Sequence, residues 1–103
     1  GVVMNVIVSE KVKRYMEEKE FSHILVEPIT QSSWCGSYTD LVARFAQKSE
    51  ADKYLKGGYR ILNEENSDII IPKENVGMGE TVRFELSQFL WKSMISMNGI
   101  WMA

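Results

Sequence analysis

The side chains with the widest chemical reach lie in one stretch, Gln31-Ser32-Ser33-Trp34-Cys35-Gly36-Ser37-Tyr38, which carries the chain's single cysteine between two large aromatics. A thiol beside Gly36, where backbone amides can come close, suits a redox group, an electrophile trap or a soft metal ligand. The same thiol can equally pack as a small hydrophobe. No Arg or Lys lies within the stretch to hold a thiolate. Cys35 is expected to be the ligand-binding centre, with Trp34, Gly36 and Tyr38 shaping the site, and the packing reading stays open beside it.

His23 is the only histidine, and an extended strand leading into the stretch would hold it far from Cys35, so a Cys–His dyad is not expected. One Cys and one His also fall short of a four-ligand zinc site. Cys35 could ligate a metal only with ligands from another subunit, for instance through two Cys35 thiolates meeting across a dimer axis. The acidic run from Asn63 to Asp68 lacks EF-hand spacing and reads as a solvated hairpin tip. Gly77-Met78-Gly79 follows no βα unit and is a weak phosphate cradle.

These residues must be carried by a small domain. With 103 residues, 45% of them hydrophobic, the chain is expected to form a single domain over 1–103 with a core that needs neither disulfide nor structural metal. The prefix Gly1-Val2-Val3 carries no functional weight, whether added, disordered or native. Twelve basic and 14 acidic residues are interspersed, which gives no footprint for nucleic acid or an anionic membrane. Apolar runs such as Ile69-Ile70-Ile71 are too short to span a bilayer, and no leader pattern is seen at the start. A cytoplasmic location is expected, in keeping with one unpaired thiol.

Along the chain, residues 4–8 read as a strand and Ser9 as the N-cap of a helix over 10–19, with Val12, Tyr15 and Met16 on its apolar face. Residues 24–29 form a second strand, whose Pro28 marks an edge or bulge. From Thr39 the alternation of Leu41, Ala43 and Phe45 with polar or outward positions predicts a third. Residues 47–54 are polar and read as no more than a short helical turn. Residues 59–62 and 68–71 flank a polar loop as a hairpin, stopped by Pro72. Residues 75–79 form a turn-rich connector, 81–86 an alternating strand and 93–97 a last strand, with Gly99 opening a tail. The expected fold class is α+β, mostly β, with small mixed or antiparallel sheets and one N-terminal helix.

The C-terminal segment, with Phe89, Leu90, Trp91, Met94, Met97, Ile100, Trp101 and Met102, holds more apolar surface than one short strand needs. Phe89, Leu90, Trp91 and Trp101 are therefore expected to form a self-association interface.

The order of features resembles the HesB-like domain family, which includes the A-type iron–sulfur carriers. The resemblance rests on Ser9-Glu10-Lys11-Val12 opening a helix, the Cys35-Gly36 loop, Ile69-Ile70-Ile71-Pro72 closing a hairpin and Asn98-Gly99 near the end. It is nearest to the branch with a Cys-Cys or Cys-selenocysteine motif in this loop, where Trp34 stands here. The resemblance implies a compact, mostly β fold, an iron–sulfur cluster as cofactor and iron–sulfur assembly proteins as partners. A-type carriers supply three cysteines, and only Cys35 has a counterpart; the C-terminal end offers Ser96-Met97-Asn98-Gly99 instead. The function expected is a non-enzymatic HesB-like protein of iron–sulfur biogenesis or thiol-dependent binding through Cys35. The alternative is an interaction module that dimerises through its C-terminal face while Cys35 is purely structural.

Overall fold

A computed structural model describes residues 5–89 and 91–103. Residues 1–3, the expected strand start at Met4, and Leu90 lie outside the described residues. The elements in order are β1 (Asn5–Val8), α1 (Glu10–Lys19), β2 (His23–Ser33), β3 (Gly36–Ala46), α2 (Lys48–Lys56), β4 (Tyr59–Asn63), β5 (Asn66–Pro72), β6 (Val76–Phe89) and β7 (Lys92–Met102). They form two mixed sheets, one ordered β1-β6-β7 and the other β3-β2-β5-β4. Among the described residues neither sheet closes into a barrel.

Two apolar triplets dictate the layering. Ile24-Leu25-Val26 in β2 and Ile69-Ile70-Ile71 in β5 are fully buried, and they lie side by side as parallel neighbours, Ile24 against Ile69 and Leu25 against Ile70. Successive strand residues face opposite ways, so a buried triplet needs cover on both faces of its sheet. On one face Ile24, Val26, Ile69 and Ile71 join Phe84, Val82, Ile100, Val12 and Met16 in the main core between the sheets and α1. On the other, Leu25 and Ile70 meet Ala51 of α2, with Tyr54, Leu55 and Tyr59 packed around them.

That second layer corrects the expected fold class: the described chain has two helices, not one N-terminal helix. Ala51, Tyr54 and Leu55 stand at i, i+3, i+4, enough of a stripe to cover Leu25 and Ile70 although the segment is mostly charged. α1 starts where expected, with Ser9 Oγ accepting from the Val12 amide at 3.3 Å. Among the described residues no helix is long and apolar enough to cross a membrane.

Four strands, β2, β3, β6 and β7, run well beyond what the sequence suggests. β6 begins at Val76, inside the expected connector, and β7 continues through Gly99 to Met102. Gly99 makes this continuity possible: its φ is +90°, a conformation that side-chain-bearing residues adopt at a cost, and a Cβ there would strike the Thr81 carbonyl. At that point residues 79–82 of β6 bulge opposite Gly99 alone, between the pairs Met78–Ile100 and Arg83–Asn98. The other two are β2, which passes its expected end at Ile29, and β3, which begins at Gly36 instead of Thr39; together they carry the candidate site.

Candidate functional site

The expected polar loop is a projecting β-hairpin arm. β2 and β3 pair without interruption from His23–Ala46 to Ser33–Gly36, leaving only Trp34 and Cys35 in the turn. β5 accompanies β2 only at Ile24 and Leu25. Beyond this, Pro28 cannot donate to a further strand on β2, and residues 30–40 are exposed on both faces. Cross-strand polar pairs hold the arm together. Thr30 and Thr39 share a hydroxyl hydrogen bond of 3.0 Å, and the Tyr38 hydroxyl donates to Gln31 Oε1 at 2.7 Å.

The turn presents its two side chains to solvent. Trp34 is 99% exposed, and Cys35 is exposed with its Sγ 3.1 Å from Ser33 Oγ. Ser33 Oγ also donates to the Gly36 carbonyl at 3.2 Å. Gly36 takes φ = +130°, with open space where a Cβ would sit, so the glycine serves backbone conformation here and not close approach. Tyr38 is engaged across the arm by Gln31. Among the expected site residues, Trp34, Cys35 and Gly36 are thus brought together at the tip, and Tyr38 stands lower on the arm.

The sequence holds no Lys, Arg or His between Ile24 and Ala43. His23 begins β2 and Cys35 follows its end, so ten strand steps, roughly 33 Å, lie between His23 and Ser33. His23 Nδ1 instead pairs with Ser22 Oγ at 2.6 Å. Two surface depressions, of about 320 and 410 Å³, lie elsewhere: one between α1 and β6 beside Lys11, Arg14 and Leu86, the other beside Pro28, Pro72 and Met102.

The residues present do not fit an iron–sulfur cluster within one subunit. Among the described residues no group of three or more His, Cys, Asp or Glu side chains could hold a metal ion. At the C-terminal end, Met97 packs against the main core, Ser96 Oγ donates to the Glu85 carbonyl at 3.4 Å, and Gly99 is fixed against Thr81.

Of the expected interface residues, Trp91 and Trp101 stand at opposite ends of β7. Trp91 follows the end of β6 and is 90% exposed, while Leu90 lies outside the described residues and Phe89 is placed only as the last residue of β6. Trp101 is 49% exposed and lies over Gly77 and Gly79 of β6, where a Cβ on Gly77 would overlap the indole. This explains the Gly77-Met78-Gly79 run as a seat for an aromatic ring. Ile95, Met97, Ile100 and Met102 face the core, so much of the segment's apolar surplus is absorbed by a strand longer than expected. On the open face Ser96 and Asn98, both exposed, stand between Met94 and Trp101.

One cluster escaped the sequence reading. Arg44 on β3 donates from Nε to Glu27 at 3.0 Å and from both terminal nitrogens to Glu50 at 2.9 Å, and reaches the Tyr54 hydroxyl at 3.3 Å. The Glu50 hydrogen bonds raise the Arg44 pKa well above the ordinary guanidinium range, against the opposing effect of burial, and the same pairing lowers that of Glu50. Burial raises the Tyr59 hydroxyl nearby. The available signal was that Glu27 and Arg44 fall on the same face as the buried Leu25. The arrangement is a clamp that ties α2 to the sheet.

No family model matches the chain, and neither a curated protein nor a solved structure matches it. Nothing in these comparisons identifies a HesB-like family.

Proposed function

We propose that this chain is a non-enzymatic binding module that meets a protein partner through the tip of the β2–β3 arm, with Trp34 as anchor and Cys35 as an accessible thiol beside it. The observation that carries this reading is the near-complete exposure of Trp34 at the end of an arm that contributes nothing to the core. An indole held in solvent at the end of a projecting turn is free to enter a partner's pocket, and tryptophans seated in such pockets are among the residues that most often dominate binding. The thiol, on an arm that carries no Lys, Arg or His, suits a contact or a soft ligand offered to a partner's site better than it suits a nucleophile. A cytoplasmic setting fits a chain with one unpaired thiol.

The test uses the full chain as bait in its native cells, comparing wild type with Trp34→Ala and Cys35→Ser. A discrete partner retained by wild type and lost with Trp34→Ala supports the reading, and loss with Cys35→Ser as well assigns the thiol a share. Equal retention by all three removes it.

A second reading is self-association through the open face of β7. It is favoured by Trp91 and Met94, which are 90% and 53% exposed at the β6–β7 turn end of that face.

A further inference from the structure

The arm has a second distinctive feature, along its side and independent of its tip. β3 is the end strand of its sheet, and its inner half, with Leu41, Ala43, Phe45 and Ala46, joins the core; residues 36–40 are exposed. A strand edge of this kind is a template for pairing, and proteins blunt such edges with charge, proline, bulges or shortness. The other edges here use those devices. β1 has four residues, β4 has five and carries Arg60, and β7 opens with Lys92 and is interrupted by the bulge at Gly99. The arm edge is nearly bare of them: residues 29–39 contain neither charge nor proline, and Asp40 is the one charge in 36–40, in a chain that is 25% charged. A two-stranded ribbon without an apolar face is also marginal alone and gains from a third strand.

From this we infer that residues 36–40 of β3 pair antiparallel with the same segment of a second copy of this chain, joining two arms into a four-stranded sheet across a twofold axis. Self-complementarity selects a second copy over a foreign strand. A twofold contact sets a strand against itself, so any charge in the segment would meet its own kind unless it is offset. About a centre at Tyr38, Ser37 faces Thr39 and Gly36 faces Asp40, so hydroxyls meet hydroxyls and the one acid meets a glycine. The Thr30–Thr39 bond already shows hydroxyl pairing of this type inside the arm. The inference does not rest on a partner at the tip, because the dimer is read with the purified chain alone.

The test is sedimentation equilibrium over a wide concentration range on four samples: wild type, Ser37→Lys/Thr39→Lys, Ser37→Glu/Thr39→Glu, and an equal mixture of the two variants. All three proteins are first shown to melt alike by circular dichroism. Wild type is expected to dimerise, each variant alone to lose dimer affinity by about tenfold or more through opposed like charges, and the mixture to recover a heterodimer. A wild type that stays monomeric overturns the inference, as does a mixture that does not recover. Variants that dimerise as wild type does also overturn it and move the contact to another surface such as the open face of β7.

Discussion

The indole of Trp101 lies across the backbone of its strand partner Gly77, filling the space that a side chain at Gly77 would need. Gly99, two residues earlier on β7, is pressed against the Thr81 carbonyl. The two glycines obey different constraints, because one neighbour is a movable side chain and the other is backbone. Gly99→Ala is expected to destabilise by about 2–4 kcal/mol, combining positive-φ strain with a backbone clash. Gly77→Ala should cost about 1 kcal/mol, and less when combined with Trp101→Ala, since the clash is then gone. Urea unfolding of the four variants checks this, and an equal cost at both glycines would contradict it.

The Arg44 clamp makes acid stability specific. Pairing with Arg44 lowers the Glu50 pKa, so its contribution is fully present above the ordinary glutamate range and is lost as pH falls through the lower folded value. Glu27 faces the same guanidinium and remains to hold it in part. Glu50→Gln should therefore lower Tm near neutrality and flatten the fall in Tm below about pH 4.5. Melting curves from pH 3 to 7 would show it, and parallel curves for wild type and variant would count against the clamp.

Exposure at the tip predicts ordinary accessibility. Cys35 should be alkylated by iodoacetamide about as fast in the folded chain as in urea. Marked protection in dilute, monomeric protein would contradict the exposure of the tip.

All three tryptophans are about half exposed or more, at 99% for Trp34, 90% for Trp91 and 49% for Trp101. Native emission should therefore be red-shifted and change little on unfolding, while far-ultraviolet circular dichroism follows the full transition. A large blue-shifted native peak would contradict the placement of Trp34 and Trp91.

The strands were legible because their apolar residues alternate or run in triplets, and the capped helix α1 because Ser9 precedes an amphipathic stretch. The second helix was hidden by its charge, yet Ile24-Leu25-Val26 and Ile69-Ile70-Ile71 implied it, since strands buried on both faces need a covering layer on each. The arm was misread as a loop because Ser, Thr and Gln carry no hydrophobic pattern when neither face is buried; only the register of β2 on β3 shows it. The thiol was found from residue type alone, but its separation from His23 depends on how far β2 extends, which periodicity cannot give.

The central claim is that the arm tip is where this chain meets its partner. A photo-crosslinking residue placed at Ser32, beside the turn, and a control placed at exposed Glu64 on the β4–β5 turn can be compared in the native cells, each with and without Trp34→Ala. The account predicts one discrete adduct from position 32, absent from position 64 and abolished by Trp34→Ala. No adduct from position 32, or one that survives loss of the indole, would contradict it.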